Sequence, residues 1–203
     1  MGKRKKGTGG TRMKIGLFFG SFNPIHIGHM ALANYMLEFT DLENVWFVVS
    51  PHNPLKQKAS LLDEKHRLQL VNCAIGDNTK LKASDIEFKL PQPSFTIHTL
   101  TYLKEKYPQH EFALIMGADN LQNFHKWKNY EEILKQVELY VYPRPDAEPG
   151  DFKNHQKVKL VDAPVIEISS TFIRQAIKDK KDVRYFVPES VWEYIQEMHF
   201  YEK

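Results

Sequence analysis

The strongest constraint on how this chain can fold is a set of short apolar runs, each stopped by glycine or proline and followed by residues at helical spacing. Lys14-Ile15-Gly16-Leu17-Phe18-Phe19 ends at Gly20, and Ile27 to Phe39 then repeats Ala, Leu and Met with helical period. Val45 to Val49 stops at the Pro-rich stretch from Ser50 to Lys56. Asp63 to Ile75 follows as a helix with Leu68, Leu70, Val71 and Ile75 inward. Phe112 to Met116 closes at Gly117 before a helical stretch from Leu121 to Leu134, and Val137 to Tyr142 is the next strand. Strands that are apolar at every position, rather than at alternate ones, are buried on both faces, which argues for a parallel sheet with helices on either side. The expected fold is therefore α/β: a Rossmann-like doubly wound parallel sheet with C-terminal helices, in three layers α/β/α.

Past the last of these strands, 143–157 holds three prolines and Gly150 and reads as a long exposed loop. Ser169-Ser170-Thr171 precede a helix from Phe172 to Ile177. Pro188 starts a last helix, Glu189 to Met198, with Val191, Ile195 and Met198 as its apolar stripe. A length of 203 residues suits one domain, expected over 13–203.

Charge gives a first hint of function and then withdraws it. The formal net charge is +3, yet Lys3, Arg4, Lys5, Lys6 and Arg12 all precede Met13, and subtracting those five leaves −2. Residues 1–12 read as a disordered basic tail, and the case for a nucleic-acid partner falls with it. No apolar run approaches the roughly 18 residues of a membrane span, so a membrane partner is not expected. One cysteine, Cys73, cannot close an internal disulfide, which points to a reducing, cytoplasmic setting.

The first strand feeds Gly20-Ser21-Phe22-Asn23-Pro24-Ile25-His26-Ile27-Gly28-His29. Two histidines three apart at a helix start fall on one face of its first turn. At the carboxyl edge of a parallel sheet such a helix start offers free N–H groups and a positive dipole end, suited to phosphate. His26 capping or filling the turn, with His29 as a satisfied, partly buried histidine, is the plainer alternative. A zinc site lacks a third ligand at a sensible spacing, and no metal-binding residues are assigned.

GSFNPIHIGH resembles the H-x-G-H signature of the nucleotidyltransferase superfamily, whose members transfer a nucleotidyl group from a nucleoside triphosphate. Ile168-Ser169-Ser170-Thr171-Phe172-Ile173-Arg174 is similar to that superfamily's second phosphate motif, ISSTxxR. Gly117-Ala118-Asp119-Asn120 with Trp127 resembles the GxD…W segment of bacterial nicotinate-nucleotide adenylyltransferases, and Pro93 to Leu100 resembles their PSYTxDTL segment. The departures are Phe19 where Gly is common, Asn23 where Asp is common, and His98 where Asp is usual.

The resemblance implies a reaction of ATP with nicotinate mononucleotide, giving the dinucleotide deamido-NAD and pyrophosphate, with Mg2+ carried on ATP. It implies His26, His29 and Arg174 as the catalytic groups. ATP would be held by these with Gly20, Ser21, Phe22, Gly117, Asp119, Ser170 and Thr171. Lys56, Thr96, Trp127 and Arg144 would hold nicotinate mononucleotide. Read without the resemblance, Ser170 and Thr171 are ordinary helix caps, Asp119 caps the next helix, Trp127 is core, and Lys56, Arg144 and Arg174 are solvated. The PSFTIHTL and GADN…W segments favour the nicotinate enzyme over sister enzymes acting on nicotinamide mononucleotide or phosphopantetheine. The presence of all three catalytic candidates argues against a non-catalytic nucleotide sensor. The oligomeric state is left open.

Overall fold

A computed structural model describes residues 11–51 and 61–203. Six strands, β1 (Lys14–Gly20), β2 (Asn44–Val49), β3 (Leu81–Ser84), β4 (Glu111–Gly117), β5 (Glu138–Tyr142) and β6 (Val158–Leu160), form one sheet in the order β3-β2-β1-β4-β5-β6. Every pairing is parallel, with Leu17 of β1 opposite both Trp46 of β2 and Leu114 of β4. The chain winds outward from β1 to β3, crosses back to β4 and winds out the other way, so strand order reverses between β1 and β4.

The pleat explains why these strands are apolar throughout. Phe18, Phe47 and Ile115 face one core with α1 (Ile27–Phe39), α2 (Glu64–Ile75), α6 (Ser170–Lys178) and α7 (Glu189–Glu197). Leu17, Trp46, Val48 and Leu114 face a second core with α3 (Thr96–Lys106), α4 (Ala118–Gln122) and α5 (Tyr130–Gln136). The Rossmann-like, three-layer expectation holds, with the C-terminal helices in the first layer. Among the described residues, no helix is long and apolar enough to cross a membrane. Of the expected tail, residues 1–10 lie outside the described residues, and Arg12 pairs with Glu111 at 3.1 Å.

Some local expectations are corrected. The helix expected from Leu121 to Leu134 is broken into α4, a 3-10 turn at Phe124–Lys126, and α5. Nine residues separate Phe124 from Ile133, which at about 100° each would put them on opposite faces of a continuous helix. Both are fully buried, so the chain must re-phase between them. Asn129 does this with φ 53, a left-handed conformation asparagine tolerates better than most residues. The 143–157 loop contains a 3-10 segment, Gly150–Asn154, and α6 starts at Ser170 rather than Phe172.

Candidate active site

A cavity of about 1190 Å³ opens where β1 and β4 end, and both Gly20 and Gly117 line it. In open parallel sheets, ligands bind outside the strand carboxyl ends where strand order reverses, which is this position.

The turn after β1 forms one wall. Phe22 turns back with φ 45, and its ring is buried against Phe18, Phe47 and His29, the last at 5.1 Å between centroids. Gly20 is required there: a Cβ would stand 2.9 Å from the Phe22 ring. His26 is the N-cap residue of α1, as the plainer reading had it, and is buried, yet it also lines the cavity with His29. Their rings stack with centroids 3.7 Å apart, and the His26 backbone N–H donates to His29 Nδ1 at 3.2 Å. An accepting Nδ1 leaves the proton of neutral His29 on Nε2. Burial, reinforced by His26 and Arg144, holds His29 well below the ordinary imidazole value. Burial, then Arg144, lowers His26 to about 4. Buried His26 Nδ1 has no hydrogen-bond partner among the described residues.

α6 is fastened to this turn. Arg174 Nη1 donates to the Asn23 carbonyl at 2.8 Å while Nη2 donates to Thr171 Oγ1 at 3.2 Å. Ser170 Oγ donates to the Pro24 carbonyl at 2.8 Å. The capping role open to Ser170 and Thr171 falls instead on Ser169, whose Oγ accepts the Phe172 N–H at 3.1 Å. Ser170, Thr171 and Arg174 all line the cavity.

The third brace on the turn is a residue that sequence reading missed. Arg67 of α2 is only 1% exposed; its guanidinium donates to the carbonyls of Ser21 and Ser50, each at 2.7 Å, and of Leu62 at 2.9 Å. It thus locks the ends of β1 and β2 together. Its sequence neighbours, Lys65-His66-Arg67, look like a solvated helix face, and only the fold reveals the three carbonyls converging on it.

Across the cavity, Thr96 opens α3, and half-buried Trp127 rests on fully buried Phe124 at 5.3 Å between centroids. Trp127 ends the 3-10 turn rather than lying on a long helix, but it reaches the cavity as expected. Glu87, also missed, lines this end with its buried carboxylate accepting from Thr99 Oγ1 at 2.8 Å, and burial raises its pKa. Exposed His98 packs edge-on to Phe95.

Arg144 and Asp119, assigned to different substrates from sequence, face each other at 3.7 Å. Arg144 also lies over the Tyr142 ring. A Cβ on Gly117 would collide with Asp119 Oδ1 and come within 2.8 Å of Arg144 Cγ. Lys56 lies outside the described residues. Among the described residues, no three His, Cys, Asp or Glu side chains gather as a cation site. The donors present, imidazoles, guanidiniums, hydroxyls and a helix start, suit phosphate oxygens.

Fold and cavity together are those of a nucleotidyltransferase, and the cytidylyltransferase-like family model matches residues 17–176. The probable nicotinate-nucleotide adenylyltransferase of Flavobacterium johnsoniae is 58% identical over 94% of this chain and all of the relative. That of Bacteroides thetaiotaomicron is 50% identical over 92% of each. The chain belongs to the nicotinate-nucleotide adenylyltransferase family. Its fold also matches the solved structure of Plasmodium falciparum nicotinic acid mononucleotide adenylyltransferase complexed with NaAD, at TM-score 0.77 and 20% identity, covering 94% of this chain and 98% of that one.

Proposed function

We propose that this chain transfers the adenylyl group of ATP to nicotinate mononucleotide, releasing pyrophosphate and forming nicotinate adenine dinucleotide, in the cytoplasm. One observation carries the reading: a single cavity has phosphate-type donors, His26, His29, Ser170, Thr171 and Arg174, at one end and Ser94, Thr96 and Trp127 at the other. The family membership and the names of its relatives support it.

The nucleophile is a phosphate oxygen of the mononucleotide, which attacks the α-phosphorus of ATP as the bond from that phosphorus to the β-bridging oxygen breaks. With a second pKa of about 6, this phosphomonoester is already mostly dianionic at neutral pH and needs no general base. The remaining work is to align two polyanions and to neutralise the charge that builds on the α-phosphate and the leaving pyrophosphate. His29 would offer its Nε2–H to that charge, with His26 beside it. Gly20, Ser21 and Phe22 would add backbone N–H groups, and Arg174 with Ser170 and Thr171 would hold the triphosphate. Asp119, next to Gly117, would accept from ribose hydroxyls. Trp127 would stack on the pyridine ring while Thr96 and its neighbouring amides read the carboxylate. Lys56 and Arg144 would contact the mononucleotide phosphate. Mg2+ enters as Mg·ATP, part of the substrate.

Initial rates with ATP and, in turn, nicotinate mononucleotide, nicotinamide mononucleotide and phosphopantetheine test the reading. The acid is expected to be the preferred acceptor; equal or better turnover with the amide or with phosphopantetheine would overturn it.

A further inference from the structure

The turn that carries His26 has one more tether, from the segment after α7. Tyr201 is partly buried against the core, with φ 69, and its hydroxyl donates to Asn23 Oδ1 at 2.8 Å. The same oxygen accepts the Leu62 N–H at 3.3 Å, while the Asn23 carbonyl receives Arg174 Nη1 at 2.8 Å. Asn23 is itself only 3% exposed. One buried amide residue therefore joins the phosphate turn, the guanidinium of α6, the start of the segment leading into α2, and the end of the fold. Burial raises the phenol's pKa far above its ordinary value, although the Arg174 and Arg67 guanidiniums pull the other way, so at neutral pH the hydroxyl keeps the proton it donates.

Tyr201 is not among the described residues that line the cavity, whereas both groups held by Asn23 and its turn, Arg174 and His26, are. Anchoring the Asn23 side chain restrains the backbone of the same residue, whose carbonyl is one of the two acceptors that fix where the Arg174 guanidinium points. We propose that Tyr201 is a positioning residue for the ATP-phosphate end of the cavity, acting through Asn23. This rests on the reading of that end as the triphosphate site.

The test is Tyr201→Phe, which keeps the ring and removes only the donor. Mg·ATP affinity is measured by calorimetry, beside KM for each substrate and the melting temperature. Loss of this one bond should weaken Mg·ATP binding by up to about threefold to tenfold, at tenfold per 1.4 kcal/mol, with acceptor KM little changed and the melting temperature lowered by only a few degrees. In an Asn23→Ala background, Tyr201→Phe should cost nothing more. Should Asn23→Ala not fold, Asn23→Asp replaces it. A carboxylate there makes the lost bond charge-assisted, so Tyr201→Phe should cost more than in the wild type. Unchanged Mg·ATP affinity, an equal loss for both substrates together with a fall in melting temperature, or the same cost with and without the Asn23 side chain would overturn the proposal. Turnover of a different acceptor by the wild type would defeat the assigned acceptor alone, since the calorimetry does not involve it. A wild type that does not bind Mg·ATP would defeat both.

Discussion

His26 and His29 stack with ring centroids 3.7 Å apart, and the backbone N–H of the first donates to Nδ1 of the second. Two imidazoles that close, one buried and one half-buried beside Arg144, are held neutral, and the backbone bond fixes which nitrogen of His29 carries its proton. The pair is thus both a helix start and a source of donors.

A pH dependence follows. Both rings have folded pKa values below the ordinary 6.5, that of His26 at about 4, so between these values the unfolded chain binds more protons than the folded one. Their contribution to stability is complete above about pH 6.5 and is lost as pH falls through the folded values. The melting temperature of the wild type should fall from pH 6.5 toward 4, and that of His26→Gln should fall less over the same range. Parallel curves would contradict the neutral buried pair. Asp41, held well below the usual carboxylate range by Lys14 and Tyr140, responds only at lower pH and cancels in the comparison.

His29→Ala should lower kcat by about 10²–10³-fold, as loss of a donor aimed at transition-state charge typically does. Circular dichroism should show the fold retained, because His29 stands at the cavity wall and its side chain supports a single backbone hydrogen bond. A near-normal rate would reduce His29 to a structural residue, and an unfolded spectrum would leave its role to the turn.

Gly117→Ala tests the opposite rim. The added methyl collides with Asp119 Oδ1 and Arg144, both exposed, so both must shift from their present positions but can do so at little cost to stability. The expected outcome is a nearly normal melting temperature with weaker substrate binding, read as KM for each substrate. Unchanged KM values for both would remove the Asp119–Arg144 arrangement from the site.

The central strands were legible because burial on both faces leaves an uninterrupted apolar signal. The strands missed, β3 and β6, are the two edges of the sheet; Leu81-Lys82-Ala83-Ser84 and Val158-Lys159-Leu160 have partly solvated faces and carry too little of that signal. Helix α3 was hidden in a stretch read for its motif, although Ile97, Leu100 and Leu103 are all buried at spacing three. The candidate site was readable where chemistry sits in a short motif, as in GSFNPIHIGH and ISSTFIR. It was unreadable where one side chain serves distant backbone, since nothing in Lys65-His66-Arg67 announces carbonyls at Ser21 and Ser50.

Arg67→Met should destabilise the fold by about 2–4 kcal/mol. Three charge-assisted hydrogen bonds are lost, partly offset because a guanidinium no longer has to be buried without a carboxylate partner. Urea unfolding with an unchanged m-value is the measurement. An equal or higher midpoint would mean that the cost of burying the charge outweighs its three bonds.

Trp127→Ala separates stacking from core packing. Stacking on an aromatic ring contributes about 1–3 kcal/mol per base in analogous sites, so acceptor KM should rise while KM for ATP stays nearly fixed. Trp127→Phe should keep part of the difference. The indole is half-buried at the cavity wall with Phe124 beneath it, so truncation opens the wall rather than hollowing a core. The melting temperature should therefore drop by less than for a core cavity, where aromatic-to-alanine changes cost about 3–5 kcal/mol. A large melting shift with acceptor KM unchanged would place Trp127 in the core and leave the pyridine ring to another platform.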